Sequence, residues 1–348
     1  MDRRIGRMTA ILVCVLLGGL SYFSCAGKEP VRVDSGHQLV MGTFARVVVV
    51  AENQGVGKEC IQAALTEIHK VDELMSDYRS ESEISRVNKE AFDHAVEVSE
   101  STYEVLQRSV EFSELTAGAF DVTVGPLMDL FHDAEKDGAA PTDEQIAEAK
   151  LKVGFEKLKL DSQNRTVQFA IDGMRLDLGG IAKGYAIDKA IEAARRCGAS
   201  GAMIDIGGDI RCFGSPPEGR EHWLIGVQDP NSATEGIGGG KLLLTLKVTN
   251  AAVATSGDYR QFVLIEGKRR SHIMDRKTGT STEGLASVTI IAENATDADA
   301  LATAVSVMGT EKGLDLIEKR PRTEAILITS GPKYEATKTS GAPEYVKE

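Results

Sequence analysis

Predicted strands and helices follow one another in this chain without the strict alternation that a parallel α/β sheet requires. The β-branched run "TFARVVVVA" at residues 43–51 predicts a strand. Later strands follow each other through glycine turns, as at Gly207 and Gly208. From about Gly57, apolar residues recur three or four positions apart, which predicts a helix with one buried face: Ile61, Leu65, Ile68, Val71 and Met75. We therefore expect an α+β fold with mainly antiparallel sheets and packed helices.

The first residues have the pattern of an export signal. A basic start, "MDRRIGRM", precedes the apolar stretch "TAILVCVLLGGL", which is too short for a comfortable membrane span. Small residues then lead to Cys25, as at a bacterial lipoprotein cleavage site, although Tyr22 stands where Leu is usual. We expect residues 1–24 to be a signal peptide cleaved before a lipidated Cys25, residues 25–38 to be a flexible tether, and residues 39–340 to form the functional domain.

Lipidation would place the protein in the bacterial cell envelope, anchored to a membrane and facing the periplasm or the exterior. The alternatives for the same segment are an uncleaved anchor and simple secretion. The charge balance argues against a nucleic acid partner, because Lys and Arg number 40 against 52 Asp and Glu, a net charge of −12.

Beyond the signal segment, and besides Cys25, the cysteines are Cys60, Cys197 and Cys212. Their irregular spacing is typical of neither a zinc site nor a disulfide framework. One pair could form a disulfide in an oxidising compartment, but the spacing favours small core residues.

The stretch "RLDLGGIAKGYAIDKA" at residues 175–190 runs from a short strand through two glycines into a predicted helix at 182–197. Such a turn is typical of phosphate-binding sites, because glycines let the backbone approach an anion near a helix N-terminus. It is neither a Walker sequence nor the three-glycine dinucleotide motif. Taken alone, the stretch favours ordinary packing.

A second stretch, "ATDADALATAVSVMG", predicts a helix in which Asp299 and Thr303 lie four residues apart and share one face. A carboxylate and a hydroxyl with no nearby His or Cys suit a hard cation such as Mg²⁺. The alternative is a capping box of Thr296 and Asp299, with Thr303 hydrogen-bonded back along the helix.

Eight motifs in order give this chain a resemblance to the FAD:protein FMN transferases, the ApbE-like family. They cover nearly everything after the signal segment: "MGTFA" (41–45), "SDYRSESEISRVN" (76–88), "GAFDVTVGPL" (118–127), "DLGGIAKGYAID" (177–188), "IDIGGD" (204–209), "ATSGDYR" (254–260), "HIMDRKTG" (272–279) and "ADALATAVSVMG" (298–309). In "HIMDRKTG", Arg276 stands where Pro is common in the family, which we expect to alter a turn.

The resemblance implies two intertwined lobes that bind FAD in a cleft between them, with Mg²⁺ on its pyrophosphate. The implied metal ligands are the side chains of Asp299 and Thr303 and one backbone carbonyl, that of Gly180 or of Ala182. The implied flavin and nucleotide contacts are Met41, Tyr78, Ala119, Phe120, Asp121, Asp177, Lys183, His272 and Ile273.

The family's reaction assigns roles to a few of these positions. Lys183 would share the phosphate charge with the cation, and His272 would accept the proton of the attacking hydroxyl, with Asp258 as the second candidate base. For His272 the alternative is a strand histidine held by hydrogen bonds, and Asp121 and Asp177 are common turn-forming residues. We interpret "IDIGGD" as a structural turn beside the cleft.

The implied activity is Mg²⁺-dependent transfer of the FMN part of FAD to a Thr or Ser hydroxyl of an exported or membrane-bound redox subunit, with release of AMP. One alternative uses water instead, as a Mg²⁺-dependent FAD pyrophosphatase that forms FMN and AMP. The other is a non-catalytic flavin-binding lipoprotein.

Overall fold

The computed structural model describes residues 29–217, 219–230, 240–257, 262–331 and 335–347. Its helices are α1 (Gln54–Met75), α2 (Glu83–Glu90), α3 (Glu100–Leu115), α4 (Gly125–Asp137), α5 (Asp143–Leu151), α6 (Ala182–Cys197) and α7 (Ala295–Glu318). Its first strands are β1 (Val31–Val40), β2 (Thr43–Ala51), β3 (Val96–Glu97), β4 (Leu158–Asp161), β5 (Thr166–Phe169), β6 (Gly201–Ile206), β7 (Asp209–Phe213), β8 (Trp223–Gln228) and β9 (Leu242–Val248). The remaining strands are β10 (Ala252–Gly257), β11 (Phe262–Ile265), β12 (Lys268–Ser271), β13 (Met274–Asp275), β14 (Thr280–Ser281), β15 (Leu285–Ala292), β16 (Glu324–Thr329) and β17 (Ala336–Lys338).

The largest sheet has the strand order β1-β2-β6-β7-β10-β15-β16-β17, and neighbouring strands in it are antiparallel. Smaller antiparallel groups are β3-β5-β4, β8-β9, β11-β12 and β13-β14. Gly207 and Gly208 join β6 to β7 with φ of 64° and 91°, which favours glycine at both positions. The α+β class with mainly antiparallel sheets is therefore confirmed.

Both faces of the main sheet are covered. Helices α1, α6 and α7 pack on one face, and the β8-β9 hairpin packs on the other. Strand β2 shows the division, because Val47 and Val49 belong to the helical core while Val48 and Val50 join the cluster under the hairpin. The five apolar residues predicted for the face of α1 are all buried. This packing places α6 and α7 side by side on the sheet.

The prediction of a flexible tether is wrong for residues 31–38, which belong to β1. Val33 and Val40 are buried, whereas Arg32 and Asp34 lie on the side that faces solvent. An edge strand with one solvated face needs few apolar residues, so its sequence resembles a polar linker. Residues 1–28 lie outside the described residues, and the signal peptide and Cys25 lipidation stay predictions. No helix in the described part of the chain is long and apolar enough to span a membrane.

Cys60 of α1 and Cys197 at the end of α6 form a disulfide, and Cys212 is free and buried. The prediction of three separate core cysteines is therefore wrong for the first two. The pair is separated by 137 residues along the chain, and only the packing of α1 on α6 brings the two thiols together.

Candidate active site

The turn before α6 lies against α7. Oδ1 of Asp177 accepts a hydrogen bond from the N–H of Gly179 at 2.8 Å, which holds the start of the turn. A Cβ atom added at Gly180 would lie 2.9 Å from Oγ1 of Thr303 on α7. Glycine at position 180 permits this close approach, because a Cβ atom there would force the turn or the Thr303 side chain to shift.

Helix α7 begins with Asn294 as its N-cap, whose side chain accepts from the N–H of Asp297 at 2.8 Å. The alternative of a capping box formed by Thr296 and Asp299 is therefore wrong. Helix α7 is interrupted at Gly309, whose φ of 77° and ψ of 179° are not helical. Asp299 therefore has no capping role in its own helix.

Asp188 fixes α6 to the N-terminus of α7. Its carboxylate accepts from the N–H groups of Ala295 and Thr296 at 2.8 and 2.9 Å, and from the hydroxyl of Thr296 at 2.6 Å. Arg211 of β7 adds an ion pair at 2.7 Å. A Cβ atom at Gly184 would collide with the carbonyl of Ala295, so glycine permits the close contact. These bonds set the distance between the turn at Gly180 and the oxygens of α7.

We expect Asp188→Ala to lower the free energy of unfolding by about 2–4 kcal/mol, because buried donors of α7 and the Arg211 guanidinium lose their acceptor. Equilibrium unfolding in urea measures the change. Asp188→Asn keeps one acceptor oxygen at the same position, so its free energy of unfolding should lie between those of the unmodified protein and Asp188→Ala. An alanine variant as stable as the unmodified protein would contradict this role for Asp188.

Lys183 lies between two buried carboxylates. Its Nζ is 2.9 Å from Oδ2 of Asp209 and lies 3.1 and 3.2 Å from the two oxygens of Asp299. The carboxylate side chains of Asp209 and Asp299 are only 5% and 4% exposed. The N–H of Gly184 also donates to Oδ2 of Asp299 at 3.0 Å. The interpretation of "IDIGGD" as a turn alone is incomplete, because β7 begins at Asp209 and directs this carboxylate at α6.

Burial and charge act together on the ionisation of this cluster. Burial alone would lower the pKa of Lys183, but the carboxylates of Asp209 and Asp299 outweigh it and raise that pKa above its ordinary value. Burial raises the pKa of Asp299 to about 6; the Lys183 ammonium opposes this rise and the Asp209 carboxylate adds to it. Lys183 is therefore cationic at neutral pH, and Asp299 is mostly ionised at the same pH.

Gly180, Asp299 and Thr303 together offer a carbonyl, a carboxylate and a hydroxyl, the oxygen donors that a hard cation prefers. Among the described residues, no N–H donates to the carbonyl of Gly180. Ala182 lies inside α6, where carbonyls accept helix hydrogen bonds. The described chain contains no group of three His, Cys, Asp or Glu side chains suited to a metal. The mixed set fits Mg²⁺, with Gly180 favoured over Ala182 as the backbone ligand.

Besides Asp177 and Lys183, two further predicted flavin contacts lie beside this group. Phe120 is buried, and its Cε2 is 3.4 Å from a Cβ atom built at Gly180. Ala119 precedes it and is also buried. Met41 occupies the turn between β1 and β2 with φ of 52°. Phe120 thus lies against the metal-ligand turn, to which the predicted contacts Asp177 and Lys183 are themselves hydrogen-bonded.

Tyr78 is the most exposed of the predicted contacts, at 88%. Its neighbour Asp77 forms an ion pair at 2.8 Å with Arg175, which precedes the metal-ligand turn. Burial, followed by the charge of Asp77, raises the pKa of Asp177 in that turn. The ion pair ties the segment of Tyr78 to the turn and leaves the aromatic ring open to a ligand.

Asp121 is turned into the protein, with a side chain 1% exposed. Its carboxylate accepts from the N–H and hydroxyl of Thr123 at 2.9 and 2.6 Å and from the N–H of Phe155 at 3.0 Å. Arg276 pairs with Asp121 at 2.8 Å and with Glu156 at 2.7 Å. The geometry favours the turn-forming alternative for Asp121. The expectation that Arg276 alters only a turn is wrong, because this side chain links two of the motifs.

His272 lies between β12 and β13. The next residue, Ile273, is buried; its N–H donates to Oγ of Ser271 at 3.1 Å and its carbonyl accepts from the N–H of Thr282 at 2.9 Å. Asp258 lies outside the described residues. The general-base roles of His272 and Asp258 stay predictions.

The arrangement of glycine turn, lysine and helix oxygens occurs in a chain whose residues 41–327 match the family model described as the ApbE family. The chain belongs to the ApbE family. The family predicted from the eight motifs is thereby confirmed.

Curated and solved members of the ApbE family cover nearly the whole chain. The FAD:protein FMN transferase of Treponema pallidum is 33% identical over 344 residues, 94% of this chain and 92% of that protein. The enzyme of the same name from Haemophilus influenzae is 34% identical over 93% of each chain. Among solved structures, the flavin transferase ApbE from Vibrio cholerae has a TM-score of 0.79 at 28% identity, covering 91% of this chain and 99% of that chain. The ApbE protein of Thermotoga maritima has a TM-score of 0.79 at 31% identity, covering 92% and 100%.

Proposed function

We propose that this protein is an Mg²⁺-dependent FAD:protein FMN transferase, which moves FMN from FAD to a Thr or Ser hydroxyl of an acceptor redox protein and releases AMP. The observation that carries the proposal is the contact of two segments: Gly180 lies against Thr303, and Lys183 pairs with Asp299. The names of the curated relatives support the same reaction.

Gly180, Asp299 and Thr303 would hold the cation, which when bound neutralises charge on the pyrophosphate oxygens. Lys183 donates to a phosphate oxygen and thereby stabilises the charge that develops on the departing AMP. The acceptor hydroxyl oxygen forms a new bond to the FMN-side phosphorus while the bond from that phosphorus to the AMP oxygen breaks. His272 takes the hydroxyl proton, so the products are the phosphodiester-linked flavoprotein and AMP.

A direct test separates transfer from hydrolysis. The purified protein is incubated with FAD and Mg²⁺, with and without a candidate acceptor domain, and AMP release and acceptor mass are followed. We expect AMP to appear at the full rate only with acceptor, together with a mass increase of one FMN on that domain. AMP release at the same rate without acceptor would show a pyrophosphatase, and tight FAD binding with no AMP under either condition would show a flavin store.

The general-base role predicts that His272→Ala reduces kcat for FMN transfer by about 10²–10⁴-fold, the usual contribution of a positioned base. FAD affinity, measured by flavin fluorescence, should change much less. His272→Gln, which offers hydrogen bonds but no base of suitable pKa, should be as slow as the alanine variant. Near-normal transfer by either variant would exclude His272 as the base.

We also propose that residues 1–24 are a cleaved signal peptide and that a lipid on Cys25 holds the enzyme at the outer side of a bacterial membrane, near exported or membrane-bound acceptors. The Cys60–Cys197 disulfide supports export, because disulfides persist mainly in oxidising compartments. Cys25→Ala should move the protein from the membrane fraction to the soluble fraction. An unchanged distribution would contradict lipidation at this residue.

A further inference from the structure

Asp209 has a fixed place that does not depend on Lys183. It is the first residue of β7, immediately after the Gly207–Gly208 turn. Its Oδ1 accepts from the N–H of Thr255 on β10 at 3.1 Å, while Oδ2 faces Nζ of Lys183 at 2.9 Å. One carboxylate oxygen is therefore fixed by the sheet, and the other is presented to α6.

Lys183 pairs with two carboxylates, and only one of them, that of Asp299, is a proposed metal ligand. Asp299 belongs to the proposed metal-ligand set, and its oxygens lie 3.1 and 3.2 Å from the ammonium. A divalent cation on Asp299 would face a positive charge at close range, and the repulsion between them is strong in a buried site. An ammonium held by Asp299 alone would either be displaced by the cation or keep the cation out.

We propose that Asp209 is a positioning residue that keeps the ammonium of Lys183 in the site when Asp299 binds the cation. The inference rests on the proposed function, since it takes Asp299 as a metal ligand. Asp209 compensates the Lys183 charge from the sheet side, so Asp299 is released for the cation. Lys183 and the cation can then act on the same pyrophosphate.

The alternative roles for Asp209 are metal ligand and purely structural residue, and a double-mutant cycle distinguishes them. Mn²⁺ binding is measured by the electron paramagnetic resonance signal of free Mn²⁺, for Asp209→Asn, Lys183→Met and the double variant. Asparagine keeps an oxygen for the N–H of Thr255, so the β7–β10 contact is retained. Asp205→Asn is the matched control, because it removes one negative charge from the same hairpin.

We expect Asp209→Asn to weaken Mn²⁺ binding about tenfold or more, since the ammonium then pairs only with Asp299 and competes with the cation. Lys183→Met removes this competitor, so in its background Asp209→Asn should change Mn²⁺ affinity by less than about twofold. Asp205→Asn should bind Mn²⁺ like the unmodified protein. Activity of Asp209→Asn should fall in kcat more than in KM for FAD, because Lys183 is no longer held beside the cation.

Two results would overturn the proposal. Equal weakening by Asp209→Asn with and without Lys183 would mean that Asp209 acts on the cation directly, as a ligand or through its charge, and not through Lys183. Unchanged Mn²⁺ affinity and kcat in Asp209→Asn would make it structural. A wrong assignment of the metal site would be recognised separately: Asp299→Asn would then bind Mn²⁺ as tightly as the unmodified protein. Thermal unfolding of each variant confirms that the affinities refer to folded protein.

Discussion

Asp299→Ala should lower kcat for Mg²⁺-dependent AMP release by about 10²–10³-fold. The substitution removes the single carboxylate among the proposed metal ligands Gly180, Asp299 and Thr303. The charge of Asp299 is already compensated by Lys183 and by the N–H of Gly184. FAD binding should be weakened but retained, since the flavin contacts lie on other segments. Steady-state kinetics over a range of Mg²⁺ concentrations, with flavin fluorescence for FAD affinity, measures both effects.

Two variants sharpen this result. Asp299→Asn keeps the shape of the side chain and an acceptor for Gly184, so its loss of activity would reflect the missing charge rather than a disturbed helix. Asp297→Asn is the matched control on the same helix, where Asp297 pairs with Arg108 at 2.8 Å outside the metal-ligand set. We expect this control to keep activity within about threefold, because the Asp297 carboxylate faces Arg108 and Arg320 and takes no part in holding the cation. Mg²⁺-dependent turnover in Asp299→Asn at the rate of the control would exclude the proposed metal site.

Much of the candidate site could be predicted because its residues lie in short motifs with local geometry. Asp299 and Thr303 share a helix face by their spacing alone, and glycine at position 180 is a local signal of close backbone approach. The roles of Asp188 and Asp209 could not be predicted in this way. Their partners lie on α7 and α6, so the contacts exist only once the helices are packed on the sheet.

The same limit applies to the fold. Helix α1 follows from apolar spacing, which is a property of one segment. Strand β1 depends on pairing with β2, and the pairing gives a half-solvated polar segment its structure. The ion pairs of Arg276 with Asp121 and Glu156 join residues more than a hundred positions apart, as does the disulfide. Spacing within a segment carries no information on such distant partners.

The disulfide should contribute strongly to stability. Replacing both Cys60 and Cys197 by alanine should lower the free energy of unfolding by about 2–5 kcal/mol, since the bond closes a loop with a sequence separation of 137 residues and so restricts the unfolded chain. For a domain of this size that corresponds to a fall of roughly 3–8 °C in Tm. Calorimetry with and without a thiol reductant measures the difference.

If the disulfide itself causes the stabilisation, reduction and the double alanine substitution should lower the Tm by the same amount. The unmodified protein under reductant should melt like the double alanine variant, and the variant should be insensitive to reductant. Cys212→Ala provides the matched control, because this buried thiol lies outside the bond and its loss measures packing alone.

Reduction should also affect α6, the helix that begins beside Lys183 and ends at Cys197. Without the disulfide the packing of α1 on α6 should weaken, and amide hydrogen exchange along α6 should become faster. A reductant that leaves both the Tm and the exchange of α6 unchanged would mean that helix packing, and not the crosslink, holds this part of the site.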